Sequence, residues 1–580
     1  MSQRSAEDVK ASSDHLAGDI AGELATDTSA FGADSVSLLK FHGIYQQDDR
    51  DVRRERGRMG LSPDYRCMVR ASIPGGALTA EQYMAMDRLA GEVGNASLRV
   101  TTREGIQFHF IHKGDLHALV RRLNESLVTT LAACGDVVRN IVACPAPLAD
   151  RELAGLQSAA AELARRLKPR TDAYWQLWVD GERAASATPP PRDGEVEPLY
   201  GTTYLPRKFK IGFAHPGDNC VDIYTHDIGI VPQLQAGQVT AFTILAGGGL
   251  GMTHNKPETY PRLSDVLGAV APQDLGAVVE AIIGIHRDHG DRENRKHARL
   301  KYIVDEWGLE AFTAEVVRRL GKPLAAAPDL SWEATHDHLG WHQQRGERWF
   351  LGVPVPNGRI IDGDIPLRTA LRAVVERWTP GIRLTARQDV LLTGFAHDQR
   401  PAVEAVLAAH GVPLVEALAP IQRHAIACPA LPTCGLALAE AERAMPDVLT
   451  ALGAELAGAG IPQEAVHVRM TGCPNGCARP YSTEIGIVGR GKDRYTLFLG
   501  GDADGTRLNG RYADHVAGDA IATTLRPVLV AFAAERGAGE RFGDWCGRVG
   551  IEGLRRRFAP RQDDSRRRGV PDPQSEARVA

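Results

Sequence analysis

The sequence predicts an α+β fold built from a duplicated unit with pseudo-twofold symmetry, and an internal repeat is the main evidence for it. The segment SLRVTTREGIQF, which begins at Ser97, resembles GIRLTARQDVLL, which begins at Gly381, 284 positions later (381 − 97). The same offset relates VACPA around Cys144 to IACPA around Cys428. This period is far longer than the 20 to 50 residues of solenoid repeats, so we expect two large copies rather than an array.

Each half begins with β-rich sequence around an R-x-T-x-R element and continues into a region of mixed helix and strand. A looser echo relates DIGIV at 227–231 to EIGIV at 484–488. We expect the segment YLPRKFKIGFA, residues 204–214, to stand where the second half has the closely spaced cysteines of residues 473–477. One half would then supply a metal site and the other a cationic surface.

The composition is that of a globular protein with several domains. The chain has 580 residues, of which 43% are hydrophobic and 24% are charged. This length predicts about three or four domains of roughly 150 residues each. The net charge of -4 provides no strong overall field for nucleic acid, so any anion site must be a local concentration of Arg and Lys.

The sequence shows no apolar run of transmembrane length and no segment that resembles a signal peptide. Nine cysteines in a chain of this length do not indicate a secreted disulfide framework. Five of them are scattered and are predicted to be buried or inert thiols: Cys67, Cys134, Cys144, Cys220 and Cys546. We therefore expect a cytoplasmic protein that binds neither nucleic acid nor a membrane.

The other four cysteines form two pairs. Cys428 and Cys434 make a C-x5-C in CPALPTC. Cys473 and Cys477 make a C-x3-C in MTGCPNGCARP. The sequence between the pairs is rich in Ala, Leu and Glu and predicts a helix that ends near Gly458, so the two pairs can meet in space.

Four cysteines can bind zinc or an iron-sulfur cluster, and their spacing favours the cluster. Structural zinc sites usually use two short C-x2-C knuckles, whereas here a wide pair faces a C-x3-C pair. Thr433 is predicted to cap the following helix, which would place Cys434 in the first turn, where the helix dipole favours a thiolate. Spacing alone leaves zinc, or four cysteines that only pack, as the alternatives.

A second group with chemistry is basic. Lys208 and Lys210 in LPRKFK are two residues apart, so both point to the same face if the segment is extended. Pro206 and the apolar IGF that follows favour an extended conformation. Arg70 and Arg139 each lie near the end of a predicted segment. We expect these cations to converge on one anion-binding pocket; the alternative is that each is a solvated surface charge.

Several segments, taken together, resemble the sulfite and nitrite reductase hemoprotein family, and within it the assimilatory sulfite reductase hemoproteins. The resemblance runs from about Leu38 to Ile551. Its motifs are CPALPTCGLALAEAER, RMTGCPNGCARPYSTEIGIVG, LLKFHGIYQQDDRDVRRERG, TYLPRKFKIGF, LAGGGLGMTH, LGGDADGTRLN and GERFGDWCGRVGI. Agreement of this many segments in one order is far more specific than any one motif.

The resemblance implies an enzyme that reduces sulfite to sulfide with six electrons, at a siroheme joined to a [4Fe-4S] cluster by a shared cysteine. Carried over by position, the cluster ligands would be Cys428, Cys434, Cys473 and Cys477, with Cys477 as the bridge to the siroheme. The cations around the substrate would be Arg70, Arg139, Lys208 and Lys210. The candidates for the siroheme carboxylates are Arg99, Arg103, Arg207, Lys296 and Arg299. The implied context is sulfur assimilation, in which sulfide is made for cysteine biosynthesis.

The sequence departs from the family pattern beside the first R-x-T-x-R element. Glu104 and Gly105 stand where a Gln-Thr type of pair is expected, and Phe110 stands where the family usually has Gly. These residues flank the arginines rather than replace them, so we expect local changes of packing. The chain also lacks a flavin or nicotinamide fingerprint, because LAGGGLG is not G-x-G-x-x-G. Electrons are therefore expected from another protein, either an NADPH-dependent flavoprotein or ferredoxin.

Three other functions are weighed against sulfite reduction. A siroheme-dependent assimilatory nitrite reductase, which makes ammonia, shares the fold and the cofactors. An oxygenase of cobalamin synthesis shares the signature, and a zinc-stabilised binding module would account for the cysteines alone. CPALPTC and the full set of basic residues favour sulfite over nitrite, and the length favours both over the oxygenase.

The resemblance also implies a β-rich ferredoxin-like domain formed by both halves, plus two larger mixed α/β domains around the cofactors. The predicted boundaries are 1–33 for a mobile leader, 34–66 for an N-terminal arm, 67–130 and 337–410 for paired ferredoxin-like half-domains, 131–336 for a cationic substrate and siroheme domain, 411–554 for an iron-sulfur and siroheme domain, and 555–580 for a mobile basic tail.

Overall fold

The computed structural model describes residues 4–148, 155–171, 173–174, 176–179, 182–186 and 196–558. Contacts divide the chain into two compact units: unit 1 comprises Met1–Gly248 and Ser264–Leu418, and unit 2 comprises Gly249–Leu263 and Ala419–Ala580. None of the helices in the described ranges combines the length and apolar character that a membrane crossing requires. The finer boundaries given above stay a prediction.

The strands are β1 (Ile44–Asp48), β2 (Tyr65–Arg70), β3 (Ala77–Leu78), β4 (Leu98–Val100), β5 (Ile106–Ile111), β6 (Val142–Ala143), β7 (Gln176–Val179), β8 (Glu182–Ser186), β9 (Ile211–Phe213), β10 (Gly217–Asp218), β11 (Ile228–Gln235), β12 (Gln238–Ala246), β13 (Asp265–Val270), β14 (Trp332–Ala334), β15 (Gly340–Gln343), β16 (Arg348–Val353), β17 (Arg359–Ile360), β18 (Gly381–Leu384), β19 (Val390–Ala396), β20 (Ile426–Ala427), β21 (Val468–Thr471), β22 (Ile485–Gly491), β23 (Arg494–Leu499) and β24 (Gly510–Ala517).

The helices are α1 (Ala6–Ala11), α2 (Ile20–Leu24), α3 (Ala33–Leu39), α4 (Arg53–Arg58), α5 (Ala80–Val93), α6 (Leu116–Glu125), α7 (Leu156–Arg166), α8 (Leu275–His289), α9 (Leu300–Trp307), α10 (Leu309–Leu320), α11 (Leu367–Trp378), α12 (Arg400–Ala409), α13 (Pro420–Arg423), α14 (Met445–Gly458), α15 (Ile521–Glu535), α16 (Phe542–Val549) and α17 (Ile551–Phe558).

Two five-stranded sheets in unit 1 repeat one pattern and exchange their edge strands. Their orders are β1-β2-β5-β4-β17 and β15-β16-β19-β18-β3. Strand β17 comes from the second half of the chain and pairs with β4 of the first half. Strand β3 comes from the first half and pairs with β18 of the second. Each sheet is therefore complete only when a strand from the other half is added.

The apolar faces of these two sheets and of helices α5 and α11 form one core that contains residues of both halves. Helix α5 begins at a full capping box, in which the Thr79 hydroxyl accepts from the Gln82 backbone and the Gln82 side chain accepts from the Thr79 backbone. Leu89 of α5 and Val374 of α11 are both buried in this core. The two β-rich segments predicted from the repeat are therefore packed as one body.

Two further five-stranded sheets share a second pattern, one in each unit. The sheet β13-β12-β11-β9-β6 lies in unit 1 and the sheet β20-β21-β22-β23-β24 lies in unit 2. In both, three parallel strands are followed by two antiparallel ones. The sequential order of the strands is the same in the two sheets. The predicted α+β fold with a duplicated unit is confirmed.

The strand registers also correct one detail of the predicted repeat. Ala143 pairs with Phe213 in unit 1, and Ala427 pairs with Met470 in unit 2, so Phe213 and Met470 are equivalent. The segment 204–214 therefore leads into and forms β9, the counterpart of β21. It does not replace the cysteine loop that follows β21, and the predicted equivalence of the lysines with that loop was wrong.

Residues 4–33 differ from the expected mobile leader. They contain helices α1 and α2, and Val9 and Leu16 are buried in the main core of unit 1. Lys10 is also buried, and its ammonium donates to the carbonyl of Leu205 at 3.0 Å. The apolar side chains anchor a segment whose overall composition is polar. Of the predicted basic tail, residues 555–558 complete α17, and residues 559–580 lie outside the described residues.

The predicted cap at Thr433 was wrong, although the predicted helix end at Gly458 is confirmed. Helix α14 begins only at Met445, with Pro446 in its first turn, where a proline is well tolerated. The preceding residues are tied elsewhere, because the backbone N–H groups of Leu438 and Ala439 both donate to the carbonyl of Gly472, at 2.7 and 3.0 Å.

A buried ion pair joins the two halves of unit 1 and yields a stability prediction. Asp87 on α5 is fully buried and binds Arg368 at 2.6 Å and Arg372 at 2.6 Å, both on α11. Asp87→Ala leaves Arg368 buried without its counter-charge, so we expect the free energy of unfolding to fall by about 3–5 kcal/mol in urea titrations.

Arg372→Ala is the matched control, because the Arg372 side chain is 37% exposed. It should lower the free energy of unfolding by less than about 1 kcal/mol, as for surface pairs. Equal losses in the two variants would contradict the assignment of the buried pair as a link between the halves.

Candidate active site

The four clustered cysteines lie in unit 2 at the ends of two neighbouring parallel strands. Cys428 directly follows β20, and Cys473 follows β21 after one intervening residue. The backbone N–H of Cys428 continues the ladder by donating to the carbonyl of Met470 at 3.2 Å. Because the carboxyl ends of parallel strands meet at one edge of a sheet, the two cysteine-bearing segments lie side by side.

The four thiols differ in exposure and influence one another. Cys428 and Cys473 are buried, Cys434 is half-buried and Cys477 is exposed. Burial is the main cause that raises the pKa of the Cys428 thiol, and neighbouring Cys477 raises it further. Burial and then Cys477 likewise raise the pKa of Cys473 to about 11. The set therefore consists of three partly or fully buried thiols and one that faces outward.

The backbone around the cysteines is arranged for close approach. The Gly472 N–H donates to Cys428 Sγ at 3.3 Å, and the Asn475 side-chain amide donates to Cys473 Sγ at 3.4 Å. A Cβ atom on Gly472 would lie 2.5 Å from the Ala439 carbonyl, so only glycine fits there. Four cysteines outside any disulfide, two of which accept an N–H donor at sulfur, fit the donor set of a [4Fe-4S] cluster.

The predicted lysines lie in unit 1 on an extended segment. The Phe209 N–H donates to the Val137 carbonyl at 3.1 Å, and its own carbonyl accepts from the Arg139 N–H at 2.9 Å. Phe209 is fully buried, whereas Lys208 and Lys210 on either side of it are half-buried. This alternation places both lysines on the same side of the segment, as the spacing predicts.

Arg70 and Arg139 meet around Tyr45. The Arg70 guanidinium lies 6.0 Å from the centroid of the Tyr45 ring, and its Nη1 contacts Cys134 Sγ at 2.6 Å. Burial alone would lower the pKa of Arg139, but Tyr45, Cys134 and Asp136 together raise it, so this residue stays charged. The structure therefore brings together two arginines that the sequence places 69 residues apart (139 − 70).

Arg207 belongs with Arg70 and Arg139 to one group of basic side chains, the cationic cluster. Burial lowers the pKa of Arg207; Asp136 opposes this effect, and the nearby guanidinium groups of Arg295, Arg139 and Arg299 add to it. Because these guanidinium groups are close enough to affect the pKa of Arg207, the four arginines lie in one region of unit 1.

Sequence reasoning missed Lys40 at the end of α3. Burial lowers the pKa of Lys40, and its charged neighbours are Asp136, Arg295, Arg207 and Arg139. Lys40 therefore belongs to the same cluster as the predicted arginines. The only sequence signal for it was its place in the family-like segment LLKFHG.

The residues predicted for the siroheme carboxylates have different surroundings. Arg103 donates to the backbone carbonyls of Asn140 and Ile211, the latter at 3.1 Å. Arg99 is buried on β4, whereas Lys296 is exposed in the loop before α9.

Arg299 makes a two-pronged contact with buried Asp227, at 2.8 and 2.9 Å from its Nη2. The same carboxylate accepts from the Lys210 backbone N–H at 2.7 Å. Arg299 thus holds, through Asp227, the backbone of the segment that carries the two lysines.

The cationic cluster has more positive than negative side chains. Its carboxylates are Glu7, Asp136 and Asp227, and its basic side chains form the larger set of Lys40, Arg70, Arg139, Arg207, Arg295 and Arg299. The buried Nε of Arg70 has no hydrogen-bond partner among the described residues. An excess of half-buried and buried cations favours binding of an anion, so the surroundings fit a polycarboxylate cofactor and an oxyanion.

The residues that depart from the family pattern act locally. The Glu104 carboxylate is buried and accepts from the Ala143 N–H at 2.9 Å, next to the start of the Cys144 segment. A Cβ atom on Gly105 would lie 2.8 Å from the Ala71 carbonyl. Both contacts are local packing contacts, as predicted for these positions.

Two family descriptions match the chain over most of its length. Residues 134–324 and 421–563 match "Nitrite and sulphite reductase 4Fe-4S domain". Residues 61–126 and 342–410 match "Nitrite/Sulfite reductase ferredoxin-like half domain". Both descriptions match twice, once in each half, in agreement with the duplicated sheets.

Curated relatives cover nearly the whole chain. A "Sulfite reductase [ferredoxin]" of Synechococcus elongatus is 45% identical over 95% of this chain and 90% of its own length. A "Sulfite reductase [NADPH] hemoprotein beta-component" of Acidithiobacillus ferrooxidans is 46% identical over 93% of this chain and 95% of its own length. A protein with the same name from Myxococcus xanthus is 43% identical over 94% and 96%.

The fold also matches a solved structure, titled "Structure of Mycobacterium tuberculosis NirA protein". The TM-score is 0.76 over 95% of this chain and 97% of that chain, at 23% sequence identity. This likeness concerns the fold. Taken with the family descriptions and the identities above 40%, the chain belongs to the nitrite and sulphite reductase family.

Proposed function

We propose that this chain is the hemoprotein component of an assimilatory sulfite reductase, which reduces sulfite to sulfide with six electrons. The observation that carries the proposal is the four-cysteine set in unit 2, in which Cys477 alone is exposed. An outward thiolate can be shared between a [4Fe-4S] cluster and the iron of a second cofactor, a siroheme. The names of the relatives support sulfite as the substrate.

The bound siroheme and cluster would supply the electron transfer, and the cysteine loop would hold them. Cys428, Cys434 and Cys473 would hold the iron-sulfur cluster alone, and Cys477 would hold both cofactors. The N–H donors from Gly472 and Asn475 to the two buried sulfurs would stabilise the thiolates that the cluster requires.

Arg70, Arg139, Lys208 and Lys210 form the proposed substrate site. Arginine stays charged and can hold two oxyanion oxygens in a fork, which suits Arg70 and Arg139 for binding sulfite. Lysine can release a proton, which suits Lys208 and Lys210 for the protonation that accompanies each S–O cleavage. Their extended segment presents both ammonium groups on one side.

Arg99, Arg103, Arg207 and Lys296 are the candidates for direct contact with the siroheme carboxylates. Arg299 has a different proposed role, because Asp227 already engages its guanidinium. We assign Arg299 as a positioning residue that fixes the Lys210 backbone through Asp227.

The electron donor is another protein, either ferredoxin or an NADPH-dependent flavoprotein subunit. Relatives of nearly equal identity carry both names, 45% for the ferredoxin type and 46% for the NADPH type. We propose the cytoplasm as the compartment and sulfur assimilation as the role.

The substrate assignment is tested by steady-state reduction of sulfite and nitrite with reduced methyl viologen as the donor. We expect a higher kcat/KM for sulfite, because the cluster motif and the complete basic set match the sulfite-reducing branch. A higher kcat/KM for nitrite would replace sulfite reduction by nitrite reduction in the same fold. A purified protein with neither a Soret band nor acid-labile sulfide would eliminate both.

The proton-delivery role is tested by Lys208→Met and Lys210→Met. Each substitution removes an acid while keeping most of the length of the unbranched side chain, so kcat for sulfite should fall by about 10²–10⁴-fold. The siroheme absorption of both variants should stay close to that of the parent protein.

Lys322→Met is the matched control, because that lysine is 47% exposed and pairs with Asp274, and neither residue belongs to the cationic cluster. It should leave kcat unchanged. Loss of siroheme from Lys208→Met or Lys210→Met would show that the residue holds the cofactor instead of delivering protons.

A further inference from the structure

Unit 1 contains a buried group of four metal-ligating side chains that the proposed sulfite chemistry does not use. Cys144, Asp218, Cys220 and His338 each offer one ligand atom, and these atoms all lie within 4.8 Å of one another. None of the four residues is more than 4% exposed. Two thiols, an imidazole and a carboxylate are thus collected at one enclosed point.

Three separate parts of the fold bring these ligands together. Cys144 directly follows β6, and its N–H donates to the Phe213 carbonyl at 3.0 Å. Asp218 ends β10, which pairs in parallel with β14, and Cys220 follows two residues later. His338 lies between β14 and β15. Backbone pairing therefore fixes the site, rather than the flexibility of one loop.

The carboxylate is held in one orientation by backbone donors. Asp218 Oδ1 accepts from the Cys220 N–H at 3.1 Å and from the His336 N–H at 3.3 Å. Its other oxygen, Oδ2, lies 3.3 Å from His338 Nε2. One oxygen is thus saturated by the backbone, and the second is directed into the group, the arrangement that orients carboxylate ligands at metal sites.

The internal repeat gives an independent argument. Phe213 of β9 and Met470 of β21 are equivalent in strand register. In each unit the next parallel strand begins 15 positions later, at Ile228 and at Ile485 (228 − 213 and 485 − 470). The loops between these strands therefore align without a gap.

This alignment makes Cys220 the counterpart of Cys477, and the 284-residue offset already makes Cys144 the counterpart of Cys428. Pro216 occupies the position equivalent to Cys473. The first half therefore keeps cysteines at two positions that bear proposed cluster ligands in the second half. It adds to them a carboxylate and an imidazole.

Other uses of this group fit less well. A nucleophilic cysteine paired with histidine would need access to a substrate, whereas Cys144 and Cys220 are 4% and 3% exposed. Both cysteines are free thiols. Simple packing would leave Asp218 and His338 as an ion pair, 3.3 Å apart, enclosed with two thiols, and a buried ion pair is costly to desolvate.

We propose that Cys144, Asp218, Cys220 and His338 bind one Zn²⁺ ion at a structural site of unit 1. Two thiolates with one imidazole and one carboxylate form a four-coordinate donor set that suits zinc, and all four positions are filled by the protein. The ion joins the end of β6 to the β10–β14 pair and to the segment that leads into β15. The ion would connect the sheet β13-β12-β11-β9-β6 to the segment that enters the sheet β15-β16-β19-β18-β3.

Zinc content and zinc ligation in the complete holoenzyme test this proposal. The protein is purified without chelators from cells supplied with zinc, and metals are measured by mass spectrometry. We expect about one zinc per chain, with a Zn K-edge absorption spectrum of two sulfurs at about 2.3 Å and two nitrogen or oxygen atoms at about 2.0–2.2 Å. The zinc edge is separate from the iron of the other cofactors, so failure of the sulfite assignment would leave this result intact.

Cys220→Ser and His338→Gln should reduce zinc to the background level. The matched control is Cys67→Ser, which changes another buried thiol of unit 1 outside the group, and it should retain zinc. Zinc missing from the parent protein, zinc bound without sulfur, or zinc retained by Cys220→Ser would overturn the proposal. A Cys144–Cys220 disulfide in the parent protein, detected by peptide mass, would overturn it as well. If a variant does not fold, the spectrum of the parent protein still decides.

Discussion

Pairing between short parallel strands is the constraint on which the chemistry of both units depends. In unit 2, β20 lies beside β21, and in unit 1, β6 lies beside β9. The carboxyl ends of such strands meet at one sheet edge, where ligands bind in many α/β folds. The segments that follow these strands carry the clustered cysteines in unit 2 and Cys144 in unit 1. One backbone arrangement thus serves two different donor sets.

Buried charge is the second constraint, and it operates within unit 1. Glu7, Asp136 and Asp227 each engage arginines, yet the surrounding cations outnumber these three carboxylates. Such a cluster is costly in an apolar interior unless an anion completes it. The carboxylates therefore order the arginines and the segment that carries the two lysines, and the remaining positive charge supports the proposed preference of the site for anions. The proposed binding of sulfite and of siroheme carboxylates follows from this imbalance.

Much of the fold could be predicted from the sequence because the evidence was local or repeated. The repeat around Ser97 and Gly381 predicted the duplication, and the alternation around Phe209 predicted an extended lysine segment. The exchange of β3 and β17 between sheets could not be predicted, because two-residue strands have no periodicity. His338 and Lys40 were missed for a different reason: each joins its cluster through contacts between residues far apart in the chain.

The central claim is that the exposed thiolate of Cys477 couples the cluster to the site of sulfite reduction. Cys477→Ala tests it most directly, with Cys67→Ala as the control at a buried cysteine outside both proposed metal sites. The measurement is steady-state sulfite reduction by reduced methyl viologen, with siroheme and acid-labile sulfide determined on the same samples. We expect Cys477→Ala to fall below about one-thousandth of the parent rate, the scale of loss when an essential group is removed, while the control keeps its activity. A Cys477→Ala variant that retains both cofactors and the parent rate would contradict the account.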